Sequence, residues 1–251
     1  MSGDWRSILG NEHAPLEAVR GRDAHGLLEA WHDEAAAVAR LGWLLRCPRM
    51  MGRGVAEVLR ASGRREPGKV EVLDFSAVPN VGCLREVQRE LARAGWGEVV
   101  MECCGHAMAL RAVAAELAAL DGVSMVPGDA WSGATPPRES HDLVVSLGLL
   151  TVVPRHQAVA VVRGMARRCR LGIVMVEWLR SPPLWVIARL ISGAAIWGGR
   201  GGDAAARVRA AWTLEELALL GEEVDLPGLT LLPVGHHAAT LWWVREPGDG
   251  R

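Results

Sequence analysis

Acidic side chains close four of the apolar runs in this sequence. Asp74 ends VEVLD, Glu102 follows EVVM, Asp129 follows VSMVPG, and Glu177 stands near the end of LGIVMVEWL. A carboxylate at the C-terminal end of a parallel strand can grip a ribose diol through two charge-assisted hydrogen bonds, and one after a third strand can reach an adenine amino group. Four acids at successive strand ends therefore read as a berth for an adenosyl ligand. The first run enters a turn, Ser76-Ala77-Val78-Pro79-Asn80, that contains no glycine. Glycines in such a turn take φ > 0 and let a ligand approach the main chain without meeting a Cβ. Ser76, Val78 and Asn80 stand in their places. Serine is small and asparagine tolerates a left-handed backbone, but Val78 before Pro79 is driven extended and carries a branched side chain toward the ligand. The expectation is a berth in which Glu102 and Asp129 supply most of the orientation.

The surrounding pattern alternates strand and helix. Strands are expected at 70–75, 98–103, 123–128, 141–147 and 171–179. Between them lie helical stripes built on Leu84, Val87 and Leu91, on Leu110, Val113 and Leu117, and on Val159, Val162 and Ala166. Strands separated by about a dozen helical residues predict βαβ units, hence an α/β, Rossmann-like doubly wound and mainly parallel sheet. The runs LTLLPV and ATLWWVRE, joined by GHHA, add an antiparallel hairpin at the sheet edge. Upstream, Leu27, Trp31, Val38, Leu41 and Leu45 mark one face of a helix over 24–46, and a second helix is expected around 54–61. With SGRREPG as linker, residues 1–67 form a helical cap and 68–251 the sheet domain, with a partly helical lid at about 181–211. Thr213 and Glu216 have capping-box spacing.

Bulk properties narrow the function. A net charge of −1 over 251 residues gives no basic surplus with which to displace counterions from nucleic acid. The five cysteines are odd in number and show no C-x-x-C spacing, so neither a disulfide framework nor a zinc site is expected, and a reducing cytoplasm fits. The N-terminal stretch has an early Asp4 and no long apolar run, and PLWVIARLISGAAIW is too short, with Arg189 in its middle, to span a membrane. The depletion of Lys, Tyr and Phe suggests a GC-rich bacterial source.

The elements VLDFSAVPN, VVMECCGHAMAL, VPGDAW and HDLVVSL, in that order and with the trailing hairpin, resemble the class I S-adenosylmethionine-dependent methyltransferases across residues 70–246. The resemblance implies that fold, S-adenosylmethionine as cofactor, and a cofactor site drawn from Asp74, Ser76, Val78 and Asn80 on the first turn. It adds Glu102, Asp129, Ala130 and Ser146 on the next strands. A narrower likeness, carried by VMVEWLRSPPLWVIARL and AAWTLEELALL, is to a bacterial subgroup found beside type III polyketide synthases. It implies methylation of a small phenolic or polyketide-like secondary metabolite, with His156, Glu177, Arg180 and Trp185 on the acceptor side. The His pair that such relatives carry after strand four is Thr151-Val152 here. Methyl transfer asks mainly for alignment, and no catalytic base is singled out.

Plainer readings stand beside these. Asp74 can simply hold the turn's amides, and Glu102 and Asp129 can cap helices. His106, His141 and His156 suit solvated or capping positions, and the adjacent His236-His237 pair points to opposite sides. Trp185, Trp197 and Trp212 serve equally an acceptor pocket, core packing or the contact of a homodimer. The rival to a methyltransferase is a catalytically inert or repurposed descendant of one. A nicotinamide-dependent oxidoreductase is opposed by the missing glycines and the terminal hairpin.

Overall fold

The structure, a computed structural model, describes residues 35–36, 38–63, 68–105, 107–127, 141–193 and 204–246. Its centre is a seven-stranded sheet: β1 (Lys69–Asp74), β2 (Glu98–Gly105), β3 (Val123–Pro127), β4 (His141–Leu147), β5 (Cys169–Trp178), β6 (Thr230–Val234) and β7 (Ala238–Val244). The spatial order is β3-β2-β1-β4-β5-β7-β6. The first five strands are parallel, while β7 runs antiparallel between β5 and β6. Chain order reverses between β1 and β4, the switch point at which open sheets bind ligands. β4 is buried along its whole length and β5 at all but Arg170, as expected of strands covered on both faces.

Besides a helical stretch at 38–44, the helices are α1 (Cys47–Ser62), α2 (Val81–Arg93), α3 (Ala107–Leu117), α4 (Arg155–Arg168), α5 (Pro182–Gly193), α6 (Ala204–Ala210) and α7 (Leu214–Val224). α2 starts where Asn80 Oδ1 accepts from the Cys83 amide at 3.0 Å, satisfying one orphan N–H of the first turn. α7 starts with the capping box of Thr213 and Glu216.

The first helices differ from the sequence expectation. Residues 38–44 are helical, but the chain turns at Arg46, which has φ 58°, and α1 begins at Cys47, well before the expected residue 54. α1 is a layer of the sheet domain and shares its core, with Met51, Val55 and Val58 in one cluster with Val174 and Val176 of β5. Two glycines make the approach close. A Cβ on Gly54 would lie 2.4 Å from Val174 Cγ1, and one on Gly172 of β5 would lie 2.2 Å from the Trp243 carbonyl oxygen and 2.8 Å from Val58 Cγ1.

Candidate functional site

The turn after β1 sits at the switch point and is sealed. Every residue from Phe75 to Asn80 is buried, and none has positive φ. Asp74 Oδ1 accepts from both the amide and the hydroxyl of Ser76, and Ser76 Oγ in turn accepts from the Leu147 amide of β4 at 2.8 Å. Serine thus does with its side chain what a glycine turn leaves to a ligand: it ties the end of β1 to the end of β4. Val78 belongs to the core together with Leu84, Val87 and Leu147. The helical stretch at 38–44 closes over it, since a Cβ on Gly42 would lie 3.3 Å from Asn80 Nδ2 and 3.7 Å from Leu147 Cδ2. Asp74 keeps its other carboxylate oxygen, Oδ2, buried and without a hydrogen-bond partner. Burial pushes its carboxyl up to about 6, against the two bonds from Ser76.

Glu102 is not at the end of its strand. β2 continues through Cys103 and Cys104 to Gly105, and Glu102 pairs in register with Leu73, one step before Asp74. Its carboxylate lies 3.8 Å from Nε2 of His141, at the opposite end of β4 from Leu147. Burial holds the His141 ring below its ordinary value, with Glu102 acting the other way. Beside the turn stands instead Gly105, where a Cβ would lie 3.7 Å from the Ser76 carbonyl oxygen. Apolar cysteines thus continue the strand past Glu102, the residue expected to grip a ribose, and its side chain faces His141. Asp129 and Ala130 lie outside the described residues, as does Trp197.

On the other side of the switch point, Ser146 and Glu177 occupy diagonal positions of the adjacent strands β4 and β5, Ser146 facing Met175 in register. Ser146 Oγ and Glu177 Oε2 are both buried without partners. Glu177 Oε1 accepts from the Leu150 amide at 3.2 Å, in the 3-10 turn Leu149–Thr151 that follows β4. Burial pushes the Glu177 carboxyl up to about 8, the Leu150 and Leu149 amides pulling it down, so it holds its proton at neutral pH. The remaining acceptor-side expectations divide. Arg180 is near, bonding Glu216 Oε1 at 2.7 Å. Trp185, half-buried, keeps an unpartnered buried indole N–H and receives Arg189 over its ring at 5.8 Å. His156 is exposed at the start of α4 and meets only the adjacent Gln157 at 3.3 Å, so the structure leaves it out of the site.

The sequence reading missed the knot beside Glu177. Trp212 donates from Nε1 to the Leu150 carbonyl at 2.9 Å, and its carbonyl accepts from the Arg180 amide at 2.8 Å. Arg155 lies 4.6 Å above the Trp212 ring and bonds Glu216 Oε2 at 2.9 Å. Only the capping spacing of Thr213 and Glu216 signalled it. Among the described residues no group of three or more metal-ligating side chains could hold an ion, and no helix is long and apolar enough to cross a membrane.

No family model matches this sequence, and no curated protein does. Solved structures do. The plantazolicin methyltransferase BpumL in complex with SAH is similar with a TM-score of 0.61 at 9% identity, over 96% of this chain and 100% of that one. An O-methyltransferase family protein from Burkholderia thailandensis gives 0.59 at 14% identity, over 98% and 68%. Human N-acetylserotonin methyltransferase in complex with SAM gives 0.56 at 13% identity, over 96% and 65%. The chain thus spans about two thirds of the last two proteins. Identities this low establish architecture alone, and with seven strands in this order and the seventh reversed, the chain has the class I methyltransferase fold.

Proposed function

We propose that this chain is an S-adenosylmethionine-dependent methyltransferase whose acceptor is a small phenolic or polyketide-like secondary metabolite in a bacterial cytoplasm. The observation that carries the reading is a row of buried, unpartnered oxygens on adjacent strands about the switch point: Asp74 Oδ2 and Ser146 Oγ, which can accept, and, toward the acceptor side, Glu177 Oε2, which carries the carboxyl proton. Buried polar atoms without partners cost stability unless a ligand or water completes them. Of the charged groups at the methionine end of S-adenosylmethionine, an ammonium, a carboxylate and a sulfonium, the ammonium is the one that Asp74 Oδ2 and Ser146 Oγ fit as acceptors. Asp74 would hold that ammonium, with Gly105 placing no side chain beside the Ser76 carbonyl. The bound cofactor supplies an already activated methyl group. The protein's part is to align the acceptor, for which Glu177 presents a protonated carboxyl and Trp185 an indole N–H. All five cysteines are free and buried, which agrees with a reducing compartment.

A second reading rests on the sealed turn. With Ala77, Val78 and Pro79 all buried where a ligand's methionine portion would lie, the fold can persist without methyl transfer, as an inert or repurposed relative. Calorimetric titration with S-adenosylhomocysteine separates the two. Micromolar binding that weakens on Asp74→Asn supports the methyltransferase. Absence of heat up to millimolar ligand transfers the case to the second reading.

A further inference from the structure

The chain leaves the sheet after β5 at Arg180 and stands beside it again at Trp212, and these two points are fastened to each other. Leu179 and Trp212 form a parallel bridge, and the Arg180 amide donates to the Trp212 carbonyl at 2.8 Å. Glu216 stands at this neck and takes donors from three elements. Its Oε1 accepts from Arg180 Nη2 at 2.7 Å, at the end of β5. Its Oε2 accepts from Arg155 Nη2 at 2.9 Å, at the start of α4, and from the Thr213 amide at 2.8 Å, at the start of α7. Arg155 also covers the Trp212 ring at 4.6 Å. From Trp212 the connection continues inward: its indole donates to the Leu150 carbonyl at 2.9 Å, and the Leu150 amide donates to Glu177 Oε1 at 3.2 Å. The peptide of Leu150 is thereby held from both sides, by the neck and by the acceptor-side carboxyl.

A capping box alone needs one carboxylate oxygen and no arginine. Here two guanidinium groups, from segments far apart in the chain, converge on the same carboxylate, whose side chain is only 27% exposed. The two arginines hold it below the usual carboxylate range in spite of its burial, with the Thr213 amide adding to the effect. Hydrogen bonds between ionised partners are the strong ones, and a carboxylate shared by three donors fixes the relative placement of the elements that supply them.

We propose that Glu216 is the positioning residue of the acceptor side: by drawing Arg155, Arg180 and the Thr213 amide to one point it fixes the neck and, through Trp212 and the Leu150 peptide, the carboxyl of Glu177. What Glu177 then does to an acceptor rests on the methyltransferase reading; the placement itself does not.

Amide hydrogen exchange resolved by NMR on the full chain tests this with Glu216→Gln, which keeps an oxygen for the Thr213 cap but removes the charge that gathers the arginines. The amides of Arg180 and Leu150 should exchange about tenfold faster or more, while those of β1 and β2 stay as they were. The Glu177 carboxyl, followed by its carbon shift, should titrate lower than in the parent protein. Thr213→Ala, which removes the hydroxyl cap and leaves both ion pairs, should change neither readout. Unchanged exchange at Leu150 overturns the proposal, as does acceleration confined to the first turn of α7 or spread evenly over the sheet. An effect of Thr213→Ala equal to that of Glu216→Gln also overturns it. Should Glu216→Gln not fold, Arg155→Met, which removes one donor of the three, must accelerate the same amides. S-adenosylhomocysteine affinity should be the same in parent and Glu216→Gln. A parent that binds none sinks the proposed function and leaves the exchange experiment to judge the clamp.

Discussion

Replacing Glu177 by glutamine should change how stability depends on pH. The glutamine oxygen can still accept from the Leu150 amide, so the turn after β4 keeps its anchor. What disappears is a titration. Glu177 is fully buried and holds its proton up to about pH 8, against an ordinary value of 4.5. Below pH 4.5 the carboxyl is neutral in folded and unfolded chains alike, and the folded chain keeps all of the stability linked to this group. As pH rises, the unfolded chain gives up the proton while the folded one retains it, which favours unfolding until the folded carboxyl ionises near pH 8. At roughly 1.4 kcal/mol per pH unit the window from 4.5 to 8 costs the parent protein about 4–5 kcal/mol, and about 3 kcal/mol of it is lost by pH 7. Urea unfolding followed by tryptophan fluorescence at several values between pH 5 and pH 8 measures this directly. Taking parent minus variant cancels every other titrating group. The variant should gain on the parent by several kcal/mol across the range. Curves that run parallel would refute the reasoning, because they would mean that water or a cation already compensates the Glu177 carboxylate.

Two further substitutions probe the positions that carry the site. Gly54→Ala puts a methyl group where Val174 Cγ1 would be 2.4 Å away, so the seat of α1 on β5 must shift. A loss of about 1–3 kcal/mol is expected from denaturant melts, although alanine is the better helix former. Ser76→Ala removes the hydroxyl donor to Asp74, leaving the bond from the residue 76 amide, and takes away the acceptor of the Leu147 amide inside the core. Loss of one or two such buried partners costs about 2–3 kcal/mol. It should also raise the Asp74 titration further, so that stability falls more steeply with pH above the ordinary aspartate range.

The strands were legible because their signals are local. Alternating and continuous apolar runs placed all seven to within two residues at each end, and the reversal of the last strand followed from a short connection between two β runs. The third strand ended one residue early, at Pro127. The end of β2 was misplaced for a physical reason: cysteine is as content in a buried strand as valine, so CCG prolonged the ladder beyond the acid that had been taken as its terminus. The absence of glycine after β1 was read correctly as a departure from a ligand-cradling turn. How Ser76 compensates was not, because its partner Leu147 lies on another strand and only the fold brings it near. The same holds for the meeting of Arg155, Arg180 and Glu216: Arg155 was unremarked, Arg180 was assigned to the acceptor and Glu216 to its cap alone, and only the fold joins them. The helix at Cys47 was set too late because Arg46 enters it with a left-handed backbone, which no residue preference at that position announces.

The place of β7 has a consequence for biosynthesis. β5, apolar and buried on both faces in the finished protein, leaves the ribosome some sixty residues before the strand that must pair with it. Until Ala238–Val244 arrives, the flank from Gly172 to Trp178 is an open row of main-chain donors and acceptors. A nascent chain in that interval is prone to join a neighbour edge to edge, and premature termination before residue 238 would leave it permanently so.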